Sequence, residues 1–561
     1  MLNLPQRTSL AAAPKPPKAL PRLLAILSLI ASLAVCSHAS AAESVVKHCA
    51  ELQGQTVPAS AIELPTRGAI ILGASVVAAT DLHNRNGEYC RVVGVIKAQL
   101  DSTPDIRFEV NLPARWNGRA LQMGGGGYNG VVVSGTEPTP FAPAASPLST
   151  GYATFGDDSG HVGNSGRADF ATNDEALLNF GYGHLKKTHD VALALITMGY
   201  GRKPDKTYFA GGSTGGREAF TVIERYPDDY DGVIANAPAI NFSGVRLMGV
   251  KVGQAAYGRP GGFVGPAQQK RVFETVMREC DALDGVADGI VSNVEACRER
   301  EPQIIAELRC ANGQRPSLRD TCLSEAQLAT LETLRDGFTL PFELAYGVRR
   351  YYGYNVFQGA DFSTRLGLGD SPDVTEPLQF GQNGYLFAQG DVYMKYFVTH
   401  DTTFNTLGFD VDNPGRYKSR LIDLSATVGA MNPDMSAFIA HGGKLVTMHG
   451  LADEVISPSQ TIAFYHEIVE RYGQDVVDSF MRLYMVPGFQ HGSGVFIPAW
   501  DELGALDRWV SKGIAPETLI ATDIAVATNG RTRPLCRYPG FPRYVGKGSI
   551  NDASSFRCEE P

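Results

Sequence analysis

Five residues, Gly211-Gly212-Ser213-Thr214-Gly215, carry the strongest chemical signal in this chain. A serine hydroxyl becomes a useful nucleophile on a sharp turn between a strand and a helix, where glycines admit the tight backbone and leave room for substrate. Both flanks have that character: Tyr208-Phe209-Ala210 is apolar and strand-like, and residues 217–226 read as a helix. A helix N-terminus behind the serine favours the negative charge that develops in acyl transfer. Glycine supplies 61 of the 561 residues, so the pattern draws its meaning from its flanks. Without them it is a glycine-rich turn whose serine caps a helix.

An attacking serine needs a base, and the base needs an orienting acid. In an α/β-hydrolase the acid and then the histidine follow the serine. Two downstream segments fit. Residues 444–448 read as a buried strand running into His449-Gly450-Leu451-Ala452-Asp453, and residues 482–486 as another running into Pro487-Gly488-Phe489-Gln490-His491-Gly492. Both candidates then lie past the C-terminal ends of strands, where open α/β sheets place their sites. Chain order assigns Asp453 as acid and His491 as base. His449 competes, although its place before Asp453 also suits a packed, hydrogen-bonded histidine. A tetrahedral oxyanion needs two backbone donors. Thr214, next to the serine, is one. The strand-like Arg119–Met123 leads into Gly124-Gly125-Gly126-Gly127-Tyr128-Asn129-Gly130, a second place where an amide can approach substrate closely; the alternative is a flexible loop without a role.

These residues need a scaffold, and the chain supplies one in two pieces. Residues 42–238 and 435–561 carry strand-loop-helix units, while 239–434 interrupts them between nucleophile and acid. The insertion is rich in aromatics, among them Tyr351, Tyr352, Tyr354, Phe357, Phe380, Tyr385, Phe387, Tyr393, Tyr396 and Phe397. Most of these are expected to fill the insertion's own core, because a segment of this size must first bury itself. Within it, residues 281–290 offer Asp281, Asp284 and Asp288 among turn-forming glycines. Three carboxylates in such a turn form a hard-oxygen set suited to calcium, although the spacing is not that of an EF-hand. A solvated acidic turn is the alternative.

The N-terminus bounds the compartment. Arg7, Lys15, Lys18 and Arg22 precede a largely apolar run at residues 23–35, and Ala39-Ser40-Ala41 follows. This is the form of a secretory signal peptide cut near Ala41, leaving a secreted or periplasmic protein. The run is short for a membrane span, which needs about 20 apolar residues. Removing residues 1–41 takes the formal net charge from -9 to -13. That acidity, with no basic run, argues against nucleic acid as a partner. Eight cysteines remain, Cys49, Cys90, Cys280, Cys297, Cys310, Cys322, Cys536 and Cys558. An even count in an exported chain reads as four disulfides of open connectivity.

Beyond these local readings, the chain resembles the tannase/feruloyl esterase family. The resemblance rests on Trp116-Asn117-Gly118-Arg119, the 124–130 loop, residues 156–161, Ser213 to Glu218, Tyr230-Asp231-Gly232, residues 280–285, His449 to Asp453, Val486 to His491 and residues 532–536. It implies an α/β-hydrolase fold with a large lid domain inserted between nucleophile and acid, and an esterase acting on esters of aromatic acids. It places the triad on Ser213, Asp453 and His491 and the oxyanion donors on Gly127 and Thr214, with Gly126 and Ile456 bordering substrate. It also implies a structural calcium held by Asp281, Asp284, Asp288 and the carbonyls of Val286 and Ile290, and nearest-neighbour disulfides in the order given above.

The sequence departs from the family in three places. Gly212 and Gly492 stand where the family has a disulfide-bonded cysteine pair. Residues 377–395 contain no arginine, whereas a terephthalate-monoester hydrolase of the family holds its substrate's carboxylate with one there. Ile456 replaces a phenylalanine wall. The last two favour feruloyl or galloyl esters over terephthalate or phthalate monoesters. A non-catalytic aromatic-binding protein on the same fold is the reading from another class, and an intact triad counts against it. Acyl transfer in place of hydrolysis stays open.

Overall fold

The computed structural model describes residues 45–311 and 321–561; the expected signal peptide and its cleavage site lie outside them. A ten-stranded mixed sheet organises the chain. Its strands are β1 (Thr56–Val57), β2 (Ala69–Val77), β3 (Tyr89–Ile96), β4 (Ile106–Pro113), β5 (Arg119–Met123), β6 (Ala153–Asp157), β7 (Lys206–Gly212), β8 (Gly232–Asn236), β9 (Lys444–Gly450) and β10 (Met481–Val486). Their spatial order is β1-β2-β3-β4-β6-β5-β7-β8-β9-β10. β1 to β4 pair antiparallel and β4 meets β6 antiparallel, while β6, β5, β7, β8, β9 and β10 run parallel.

Helices cover both faces of the parallel half, so β8 and β10 are buried at every position and, apart from Asn236 and Arg482, read as apolar runs. Alternate residues separate the faces. Phe209, Val233 and Leu445 pack with Phe220 of helix α1 (Thr214–Arg225) and with Phe464, whereas Tyr208, Ile234 and Val446 pack with Leu506 and Trp509. Helix α1 begins three residues before the stretch legible as helix. Gly215 and Gly216 are poor helix formers and hide its first turn.

Between the neighbouring strands β8 and β9, residues 237–443 add no strand to the large sheet. They hold helices α2 (Phe242–Gly253) and α3 (Tyr385–Val392). Tyr351, Tyr354, Phe357, Tyr393 and Phe397 are core, as expected, but the core is not the insertion's alone. It continues through Tyr128 and Phe180 on one side and Val455 and Ile456 on the other, which fastens the insertion to the glycine loop and the acid loop. Disulfides join Cys49–Cys90, Cys280–Cys297, Cys310–Cys322 and Cys536–Cys558, the pairing the resemblance implies. Among the described residues no helix is long and apolar enough to cross a membrane.

Candidate active site

β7 ends at Gly212, α1 starts at Thr214, and Ser213 alone makes the turn, with φ 59° and ψ -119°. A non-glycine residue in that region is strained, and the surroundings must hold it there. They do so through Ser213 N–H donating to Asn236 O at 2.9 Å and Ser213 O accepting from Ala239 and Arg217 N–H at 2.9 and 3.0 Å. The turn also needs Gly211, since a Cβ there would fall 2.3 Å from the Gly215 backbone.

The structure brings Ser213, His491 and Asp453 together. His491 Nε2 lies 3.0 Å from Ser213 Oγ, and His491 Nδ1 lies 2.8 Å from Asp453 Oδ2. Asp453 is fully buried, and its Oδ1 accepts the N–H groups of Val455 and Ile456, both at 2.8 Å. Burial alone would raise its carboxyl, but the charge of His491 and hydrogen bonding from both neighbouring histidines outweigh it and hold the group well below the usual range. Burial likewise works against protonation of His491, and the Asp453 charge, with Glu454 behind it, raises the imidazole above its ordinary value. His449 is fully buried, 2.8 Å from Thr461 Oγ1 and 3.3 Å from Asp453 Oδ2. It packs behind the acid, and no contact joins it to Ser213.

The glycine loop supplies amides selectively. Gly124 N–H donates to Ala210 O, Gly125 N–H to Glu218 Oε2, Tyr128 N–H to Ser165 O and Asn129 N–H to Gly126 O. Among the described residues the amides of Gly126, Gly127 and Thr214 have no acceptor. Thr214 Oγ1 donates to Gly127 O at 2.6 Å and ties the two expected donor residues together. A Cβ on Gly126 would meet open space, so this residue borders a void. Ile456, expected as a substrate wall, is 2% exposed and belongs to the shared core; its amide holds Asp453.

Four features escaped the sequence. Glu454 is fully buried beside the acid, accepts His491 N–H at 3.1 Å and Thr364 Oγ–H at 3.0 Å, and is pushed up to about 7 by burial and then by the Asp453 charge. Glu218, one turn into α1, takes Gly125 N–H at 3.0 Å on Oε2 and Asn129 Nδ2–H at 2.7 Å on Oε1. Buried His184 lies 3.5 Å from Glu218 and 2.7 Å from Asp157. Burial opposes its charge, but the two carboxylates raise it to about 9. Phe141, at φ 67°, sets its ring 5.0 Å from that of His491. A Cβ on Gly212 would lie 2.4 Å from this ring and one on Gly492 2.9 Å from it. The ring therefore occupies space that a disulfide between positions 212 and 492 would need, so the simple double cysteine replacement does not fit.

The 281–290 loop is folded around Asp281, whose Oδ1 accepts the N–H groups of Asp288, Gly289 and Ile290. Asp284 is fully buried, its Oδ2 has no partner, and burial pushes it up to about 6. These two suit a hard cation. Asp288 instead pairs with Arg533, and among the described residues no three His, Cys, Asp or Glu side chains converge as a metal cluster. Ile290 packs beside Gly488 of the histidine loop.

Comparison with known proteins identifies the family of the chain. The family described as tannase and feruloyl esterase matches residues 90–559. An uncharacterized esterase of Agrobacterium fabrum is 40% identical over 545 residues, covering 96% of this chain and 98% of that protein. A probable feruloyl esterase of Arthroderma benhamiae is 32% identical over 561 residues, covering 96% and 98%. The mono(2-hydroxyethyl) terephthalate hydrolase of Piscinibacter sakaiensis is 30% identical over 542 residues, covering 84% and 85%. The crystal structure of feruloyl esterase B from Aspergillus oryzae superposes with a TM-score of 0.73 at 24% identity, covering 92% of this chain and all of that one. The chain belongs to the tannase and feruloyl esterase family and is a carboxylic ester hydrolase with an α/β-hydrolase fold.

Proposed function

We propose that the protein hydrolyses esters of phenolic aromatic acids through an acyl-enzyme on Ser213. His491 Nε2 takes the Ser213 proton as Oγ attacks the ester carbonyl, and Asp453 fixes the tautomer and offsets the imidazolium charge. Thr214 and Gly127 amides receive the oxyanion, each such donor being worth about 3–4 kcal/mol. Gly126 borders the same space. The alcohol leaves with the proton from His491, and water activated by the same histidine releases the acid. The observation that carries this reading is the chain of 3.0 and 2.8 Å contacts from Ser213 through His491 to buried Asp453.

The test is kcat/KM on methyl ferulate and methyl gallate, with product analysis in the presence of added alcohol. Turnover of these esters to free acid is expected. Product esterified to the added alcohol would assign acyl transfer instead, and binding of the esters without turnover would assign the non-catalytic reading.

In this account residues 239–434 form a lid over a core made of 42–238 and 435–561. Export fits the four disulfides, which persist in oxidising compartments. A structural calcium in the 281–290 loop is supported by the unpartnered Asp284 Oδ2, with Asp281 beside it, Asp288 at the loop's end and the carbonyls of Val286 and Ile290 as further donors. Such an ion stabilises the fold by mass action. Chelation should lower the melting temperature; an unchanged melt together with no calcium on elemental analysis would remove the ion from the account.

A further inference from the structure

Arg246 lies one turn into α2, close to the nucleophile turn: Ala239, just before the helix, donates to Ser213 O at 2.9 Å. The residue is 4% exposed. Its guanidinium stands 4.7 Å from the ring centre of Tyr128, the neighbour of Gly127, and 4.2 Å from that of Phe242. Ring faces attract a cation but accept no hydrogen bond along its planar N–H fork. Among the described residues Arg246 has no carboxylate partner, and its buried Nε has no acceptor. The other buried arginines each have an oxygen partner: Arg217, whose Nε is also unpartnered, donates to the carbonyls of Phe180 and Gly181, while Arg482 pairs with Glu517, Arg531 with Asp523 and Arg533 with Asp288.

Tyr128, whose ring Arg246 faces, donates its hydroxyl to Gln389 O at 2.8 Å, and Gln389 Nε2 donates to Ser165 O, the carbonyl that also accepts Tyr128 N–H beside Gly127. The guanidinium and the glycine loop therefore share one group of side chains. Gln389, which donates to the Tyr385 hydroxyl at 3.1 Å, leaves its own buried Oε1 unpartnered in the same neighbourhood. A buried cation without an acceptor is costly, and a carboxylate is the group whose geometry completes an arginine fork.

We propose that Arg246 determines specificity by receiving a carboxylate carried by the aromatic ester substrate. This rests on the esterase reading above. It also restores, from a different helix, the cation that residues 377–395 lack, so esters of aromatic diacids re-enter the substrate class.

The experiment compares kcat/KM for monomethyl terephthalate, which carries the charge on the acyl side, its neutral isostere methyl 4-carbamoylbenzoate, and carboxymethyl benzoate, which carries the charge on the alcohol side. Wild type is expected to prefer one charged ester over the neutral one by about 10- to 100-fold, the range of a charge-assisted hydrogen bond. The preferred arm identifies which end of the substrate meets Arg246. Arg246→Gln should reduce that ratio to within about threefold, and Arg246→Lys should retain part of it. A wild-type ratio near one overturns the proposal, and so does an unchanged ratio in a natively melting Arg246→Gln protein. Where the Gln variant fails to fold, the wild-type ratio decides. Turnover of no ester at all by wild type defeats the esterase reading itself, a result distinct from turnover without charge preference.

Discussion

Two loops meet at Ser213, and different forces hold them. The glycine loop, residues 124–130, is pinned by buried charge. Glu218 accepts from Gly125 and Asn129 and is flanked by His184 and Arg217. The histidine loop, residues 487–492, rests on shape. The Phe141 ring packs at a tilt against His491 and fills the space beside Gly212 and Gly492, while Glu454 takes the His491 amide. The amides that meet an oxyanion must keep their direction, and directional hydrogen bonds to a fixed carboxylate secure it. The imidazole must stay beside Ser213 through two proton transfers, and a packed ring holds its position without adding charge beside it.

The comparison breaks most visibly at Glu218. Glu218→Ala leaves His184 and Arg217 buried without their shared counter-charge, which should cost about 3–5 kcal/mol in stability and lower kcat; urea unfolding and steady-state kinetics measure both. A wild-type melt in this variant would show that charge does not hold the loop. The same network predicts a pH signature. Burial opposes the Glu218 charge, but His184 and Arg217 depress its pKa, so its contribution is present above the ordinary glutamate value and is lost as pH falls through the depressed one. His184 is raised from 6.5 to about 9, so its contribution is complete below 6.5 and is lost as pH rises through about 9. Melting temperature should therefore decline between these two values, and less steeply in His184→Gln.

On the other side, Phe141→Ala should cost about 1–2 kcal/mol, less than a fully buried phenylalanine because the ring is only half-buried. It should lower kcat more than it raises KM. Adding Gly212→Cys and Gly492→Cys to Phe141→Ala should allow a bridge between the two loops, whereas the cysteines without Phe141→Ala should stay reduced. Free-thiol titration distinguishes these, and a bridge formed beside an intact Phe141 would show that the ring is not the obstacle.

The smallest effect belongs to Glu454. Its charge helps raise His491, and the base acts when neutral, so kcat/KM should rise with pH above 6.5. Glu454→Gln should shift that limb toward acid by a fraction of a pH unit. A limb that moves toward alkali would reverse the assigned role.

Much of the site was legible because parallel strands buried on both faces write continuous apolar runs. The run at residues 482–486 is β10 within one residue, and the run at 444–448 is all but the C-terminal end of β9. The candidate catalytic groups follow such strands directly, so Ser213, Asp453 and His491 could be read in order. What stayed hidden depends on contacts distant in sequence. Glu218 meets Gly125 across 93 positions, and nothing local marks Phe141 as the filler beside Gly212 and Gly492. The acidic turn at 281–290 was legible as a cluster of carboxylates, but the pairing of Asp288 with Arg533 was not, because the arginine arrives from a strand pair near the C-terminus. Arg246 reads in sequence as an ordinary helix cation; only its burial against aromatic rings, with no carboxylate partner among the described residues, sets it apart.

The central claim is that one hydroxyl does the chemistry, and Ser213→Ala tests it most directly. The account predicts that kcat on methyl ferulate falls about 10⁶-fold with an unchanged melting temperature, the loss seen when a triad nucleophile is removed. Retention of more than about a thousandth of wild-type kcat by a natively folded Ser213→Ala protein would contradict it.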